Sequence, residues 1–156
     1  MKKIDLSAAQ CVTGSGYPAP YDEPCRERKR WRLGDVAGLT QYGVNLLRLA
    51  PGVWSSQRHW HAAEDEFVYV LEGEVVLVSN AGEEVLRAGD CAGFKAGERD
   101  GHQLQNRGNA DALVLEVGGR NPQHDAVDYP DIDMMIPVGT RTFVHRDGTP
   151  YPPRKR

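Results

Sequence analysis

Between residues 40 and 118 the chain is broken repeatedly by turn signals, and that punctuation restricts what it can fold into. The signals are Pro51-Gly52, Glu72-Gly73, Asn80-Ala81-Gly82, Ala88-Gly89-Asp90, Ala96-Gly97 and Arg107-Gly108-Asn109. Among them lie short runs rich in Val, Leu, Tyr and Phe: Tyr42 to Leu49, Gln57 to His61, Glu66 to Leu71, Val75 to Ser79, Glu83 to Arg87, Cys91 to Phe94, Gly101 to Asn106 and Ala112 to Val117. Many short strands at such spacing form a sandwich or a barrel. A parallel sheet would need helical crossovers, and no interval here has room for one. The fold class is all-β.

The flanks read differently. Residues 1–39 form an irregular N-terminal arm, expected along the outside of the barrel. Gly14 to Pro20 cannot be helical, because its prolines fix φ and remove donors. Glu23 to Arg32 is dense in charge and leaves room for one helical turn. Residues 119–156 form a C-terminal arm interrupted by Pro122, Pro130, Pro137, Pro150, Pro152 and Pro153. Asp128 to Met135 mixes carboxylates with large apolar side chains. It reads as a lid over the barrel mouth or as an arm that packs on a partner. The whole chain of 156 residues suits one domain with its core at 40–118.

Composition excludes some partners. A net charge of -3 argues against nucleic acid, whose binding domains carry a basic excess. Arg154, Lys155 and Arg156 read as a solvated tail. No run approaches the roughly 18 apolar residues of a membrane helix. Lys2 and Lys3 resemble the start of a signal peptide, but Asp5 and the polar residues after it leave no apolar core for one. Cys11, Cys25 and Cys91 are odd in number and contain no Cys-x-x-Cys pair, so neither a disulfide framework nor a zinc ribbon is indicated. The expected location is the cytoplasm.

Chemistry concentrates in four residues. His59 and His61 are two apart in an expected strand, so both imidazoles point to one face. Their Cα atoms should lie roughly 6.5–7 Å apart, a span that two imidazoles can close onto one ion. Alone, such a pair is also compatible with two surface histidines. Glu66 would face away if the strand continued, but Ala62 to Asp65 reads as a turn that can return Glu66 to the same face. The alternation then places Val68 and Val70 inside with Glu66, and Phe67, Tyr69 and Leu71 outside. A strand apolar on both faces needs cover on both, so the terminal arms or a second subunit must lie over the outer one. Glu64 and Asp65 are rival carboxylates, read as solvated turn charges. His102 follows the loop Lys95 to Gly101 and starts another strand. Three imidazoles and a carboxylate suit Mn, Fe, Co, Ni, Cu or Zn rather than Ca or Mg. Without a thiolate, a structural zinc site is disfavoured. A metal held by these side chains would keep positions open for water or substrate.

The residues also resemble the cupin superfamily. The first cupin motif is matched by Gly52, six residues, His59-Trp60-His61, four residues, Glu66, six residues and Gly73. The second is matched by Gly89, five residues, Lys95-Ala96-Gly97, four residues, His102, three residues and Asn106. Lys95 stands where the family carries proline, and the loop before His102 is longer. The resemblance implies a double-stranded β-helix, or jelly-roll barrel, with irregular N- and C-terminal arms. It also implies one divalent transition metal (Zn, Mn, Fe, Ni or Cu) on His59, His61, Glu66 and His102, a small-molecule substrate or ligand, and a homodimer. The whole chain is similar to small one-domain cupins assigned as sugar-phosphate isomerases.

Three functions follow as expectations. A metal-dependent isomerase would polarise a carbonyl or hydroxyl while a base moves a proton. Glu66 and Lys95 are the catalytic candidates, and Lys95, Arg99 and Gln103 the substrate-binding ones. The same site could serve a dioxygenase. A barrel that binds a sugar or metabolite without turnover is the alternative, and the absence of a helical segment for DNA binding disfavours a transcriptional role.

Overall fold

The computed structural model describes residues 3–152, so Lys2 and the basic end at Arg154 to Arg156 lie outside the described residues. The strands are β1 (Cys11–Thr13), β2 (Lys29–Arg32), β3 (Tyr42–Leu49), β4 (Trp60–His61), β5 (Glu66–Glu72), β6 (Glu74–Ser79), β7 (Gly82–Arg87), β8 (Cys91–Phe94), β9 (Gln103–Gln105), β10 (Ala112–Gly119), β11 (Val127–Tyr129) and β12 (Met134–Ile136). One α-helical turn, α1 (Leu33–Val36), joins β2 to β3. Three sheets result, ordered β1-β2-β3-β10-β5-β8, β12-β11-β4 and β7-β6-β9. The pairings β10 with β3, β10 with β5 and β6 with β7 are antiparallel. This is the all-β barrel that the turn spacing indicates, arranged as the double-stranded β-helix that the resemblance implies.

Burial follows the side-chain alternation. Val68 and Val70 on β5 are buried, whereas Phe67, Tyr69 and Leu71 are about two-fifths exposed on the opposite face. Leu47 and Leu49 of β3, Val114 of β10, Val75 of β6, Leu86 of β7 and Leu104 of β9 complete the core with them. The six-stranded sheet therefore packs against β7-β6-β9. Each buried Val or Leu contributes roughly 1.5–3 kcal/mol.

Two motif residues close the barrel. Gly73, at the β5–β6 turn, has φ +73, and a Cβ there would sit 2.6 Å from the Asp111 carbonyl oxygen. Only glycine fits both demands. Asn106 is buried, and its amide donates to the carbonyls of Leu49 (2.7 Å) and Ala110 (2.8 Å). It thereby stitches the end of β3 to the loop before β10.

The arms are more regular than their sequence suggests. β1 and β2 extend the large sheet through β2–β3 pairing, with Trp31 opposite Leu46. Glu23–Cys25 is the expected single turn, of 3-10 type. Rather than lying apart on the outside, the two arms build a second core. Tyr17 and Cys25 of the first arm pack with Val127, Tyr129 and Met134 of the second. Tyr17 meets Tyr129 edge-on at 5.7 Å. Arg58 adds an ion pair across to Asp131 at 2.6 Å. The strands here are too short and too charged for period alone to reveal them. Among the described residues no helix is long and apolar enough to cross a membrane.

Candidate metal centre and cavity

Backbone pairing brings the histidines together. His59 and His102 exchange both main-chain hydrogen bonds, at 3.1 and 2.8 Å. This antiparallel pair sets their rings side by side, with centroids 4.9 Å apart. The strand through His59 is shorter than expected: Gln57 to His61 gives only β4 and an isolated bridge at His59. His61 nevertheless shares the face of His59, with ring centroids 5.2 Å apart. The turn at Ala62 to Asp65 returns Glu66 over them. Its Oε2 lies 3.6 Å from Nε2 of His59, 3.6 Å from Nε2 of His61 and 2.9 Å from Nε2 of His102. His59, His61 and Glu66 form a trio whose donor atoms lie within 4.8 Å of one another, and His61, Glu64 and Asp125 form a second. His102 joins the first trio through Glu66, and Phe94 stacks flat on its ring at 3.5 Å.

The far nitrogens of two rings are held. His59 Nδ1 lies 2.8 Å from the Gln57 carbonyl oxygen, which can only accept. His61 Nδ1 lies 2.6 Å from an oxygen of the Asp125 carboxylate. Both rings therefore donate from Nδ1, and in the neutral ring Nε2 is then a lone pair aimed at Glu66. Two lone pairs facing a carboxylate oxygen are mutually repulsive unless a cation lies among them. Burial pushes His59 down to about 3, with His102 and His61 adding to the effect against the pull of Glu66. Burial acts to raise the Glu66 carboxyl, but the His102 hydrogen bond and the three imidazoles together outweigh it and hold it at about 2. A neutral His59 beside an ionised Glu66 is the donor state that a transition metal requires. The residues fit such an ion on their chemistry as well as on their convergence. His102 differs in that its Nδ1 is buried with no hydrogen-bond partner.

Two cavities share this cluster. The larger, about 330 Å³, is lined by His59, His61, Glu66 and His102 together with Tyr17, Arg28, Arg30, Asn45, Ser56 and Glu116. The smaller, about 180 Å³, reaches the same His61, Glu66 and His102 from the side of Trp60, Glu64, Lys95 and Asp100. Lys95 is thus exposed at the rim of the smaller cavity. Arg99 instead lies 5.7 Å over the Trp60 ring. Gln103 is buried but lines neither cavity. His102 and Leu104, its neighbours on either side, take the inner face of the strand, so Gln103 points the other way.

Glu64 departs from the expected solvated turn charge. Its side chain is 16% exposed, and its carboxylate accepts from the Asn121 amide. Burial first, then Asp125 and Glu66, raises its pKa against the lowering effect of Asn121 and His61. Asp65 is exposed and accepts from the Ala96 amide at 2.7 Å. Several further cavity residues left no signal in the local sequence. Arg28, Arg30 and Tyr17 come from the first arm, and behind His59 the ring of Tyr129, from the second arm, stacks at 5.6 Å. Arg30 pairs with Glu116 at 2.8 Å.

These features define a class: a small two-walled β-barrel whose interior carries a histidine–carboxylate cluster open to a ligand-sized cavity. The family model for the cupin domain matches residues 45–118. A solved structure from Silicibacter pomeroyi, described as a sugar phosphate isomerase from a cupin superfamily, is 44% identical. The match covers 97% of each chain with a TM-score of 0.89. A candidate sugar phosphate isomerase from Acidithiobacillus ferrooxidans is 30% identical over 82% of each chain, with a TM-score of 0.71. The chain belongs to the cupin superfamily. It is also 39% identical over 79 residues to tetracenomycin polyketide synthase protein TcmJ of Streptomyces glaucescens, half of each chain. The chain spans about half the length of the curated relatives it matches.

Proposed function

We propose that this cupin is a metal-dependent enzyme acting on a small polar substrate, in the manner of a sugar-phosphate isomerase. The observation that carries the reading is the convergence of Nε2 of His59, His61 and His102 on Glu66 Oε2. His59, His61 and Glu66 would hold one divalent transition metal, with His102 as the fourth ligand once its bond to Glu66 gives way. The bound metal would supply Lewis-acid polarisation of a substrate oxygen. The chain's own residues supply the remainder. Gln57 and Asp125 keep the two imidazoles in the ligating tautomer. Glu64, half-buried beside His61 and lining the smaller cavity, would accept and return a proton. Tyr129 and Phe94 narrow access of water to the rings they stack on.

The likeness to a named sugar phosphate isomerase over nearly the whole chain supports the isomerase reading. A homodimer is part of the proposal, supported by the apolar face of β5 that neither arm buries. The three unpaired cysteines suit a reducing compartment such as the cytoplasm. The test is proton NMR of metal-loaded protein with a panel of aldose and ketose phosphates. Interconversion of one pair, abolished in Glu66→Gln, is expected. No interconversion across the panel, by protein shown to hold metal, overturns the isomerase assignment.

A further inference from the structure

Arg28 is a cation in an unusual place. It is 9% exposed, lies immediately before β2, and lines the larger cavity with the histidine cluster. Its Nε donates to the Gly14 carbonyl at 2.9 Å, and its Nη1 donates to the Ser55 carbonyl. Both partners are neutral. No carboxylate lies within ion-pair distance of Arg28 among the described residues, although Arg26, Arg30, Arg32, Arg48, Arg58 and Arg120 all have one. Buried charges are ordinarily paired, because an uncompensated one costs several kcal/mol.

The neighbouring groups do not supply the missing charge. Glu116 is the only other acid besides Glu66 that lines this cavity, and it is engaged by both Nε and Nη2 of Arg30. Glu66 faces the three imidazoles instead. The two carbonyl bonds hold the guanidinium in a fixed position, as a preorganised anion site requires. Asn45 and Ser56 line the same space with uncharged polar groups. A cavity of about 330 Å³ is at the low end of the range for small-molecule sites.

We infer that Arg28 is the anchor for an oxyanion, the carboxylate or phosphate of the small molecule that this cavity takes, with the histidine cluster at the other end of the same ligand. The inference rests on the reading of the cavity as a substrate site. It makes the substrate an anion and moves the anion-binding role from the loop residues Lys95 and Arg99 to the N-terminal arm. Arg28 is a binding residue under this assignment, and its carbonyl bonds position it.

The experiment is isothermal titration of metal-free protein with inorganic phosphate and, separately, with glycolate. Leaving the metal out isolates Arg28 from any direct ligation of the probe. The wild type should bind at least one probe saturably, and the tighter of the two tells phosphate from carboxylate. Arg28→Met should weaken that binding by roughly 10–100-fold, the worth of a charge-assisted hydrogen bond. Lys95→Met and Arg99→Met should bind as the wild type does. Unchanged binding in Arg28→Met, a loss that follows Lys95→Met instead, or no binding of either probe by the wild type overturns the assignment. If Arg28→Met does not fold, Arg28→Lys replaces it, because it keeps the charge and loses the fork. A weakened Arg28→Lys beside an unchanged Lys95→Met supports the anchor, and the reverse overturns it. Metal content measured on the same preparation stands apart from these titrations. A chain that takes up no metal fails as a metalloenzyme while the titration still decides the role of Arg28.

Discussion

At His61 the two ring nitrogens do different work: Nε2 faces Glu66 and Nδ1 meets Asp125. Asp125 also accepts from the Ala63 amide at 2.8 Å, so one carboxylate fixes both the ring and the turn after it. Removing its charge should weaken the metal without dismantling the barrel. Asp125→Asn is expected to lower metal affinity by roughly 10–100-fold, read by competition with a chromogenic chelator, with unfolding by heat little changed. An unaltered affinity would separate Asp125 from the centre. The four candidate ligands were legible from sequence because strand alternation and one turn place three of them locally. Asp125 was not, since only the pairing of β11 with β4, with Val127 opposite His61, brings it near. Arg28 was hidden for the same reason, and Glu64 looked like an ordinary turn charge until the Asn121 amide was seen to meet it.

Among the elements, β3 and β10 form the spine of the large sheet, paired from Tyr42 opposite Gly119 to Leu49 opposite Ala112. Leu47, fully buried between the two walls, is a direct probe of that packing. Leu47→Ala should destabilise by about 2–5 kcal/mol in urea unfolding, through lost transfer energy and the cavity left behind. A loss below about 1 kcal/mol would mean that the core is not packed as described. The bond between β4's leading edge and the second arm is electrostatic. Asp131 is held below its ordinary pKa chiefly by the Arg58 hydrogen bond, which with the Arg58 charge outweighs the opposing effect of burial. A depressed carboxylate contributes stability above its unfolded pKa, about 3.9, and loses it as pH falls through the folded value. With Asp131 55% exposed, the pair should be worth no more than about 1 kcal/mol. Asp131→Asn should therefore match the wild type in strong acid and fall slightly below it near neutral pH. An equal difference at both would assign the effect to packing. The strands of the core were readable from the runs and turns of the sequence. β1, β2, β11 and β12 were not, because three or four residues carry too little period and their partners lie far along the chain.

For the whole molecule, the outer face of the large sheet is the outstanding feature. Phe67 stands opposite Val117 of β10 and Tyr69 opposite Leu115, and Leu71 lies on the same exposed face of β5. Val44 and Leu46 of β3 continue the face, with β2 of the first arm at its edge, while Tyr17 and Cys25 of that arm lie with the second arm in the separate core. We propose this apolar face as the dimer contact, because exposed apolar patches of such breadth suit association. In the proposed homodimer, Phe67→Glu with Tyr69→Lys should give a folded monomer in sedimentation velocity. A dimer that survives both changes would put the interface elsewhere. The alternation of β5 already announced this face in the sequence, though not that the arms would leave it bare. Whether the histidine–carboxylate cluster holds a metal is decided by plasma mass spectrometry of untagged protein purified without chelator. The expected result is about one transition-metal ion per chain, lost in His59→Ala and in His61→Ala. No metal in the wild type, even after reconstitution, or equal metal in both variants, would contradict a centre built on His59, His61 and Glu66.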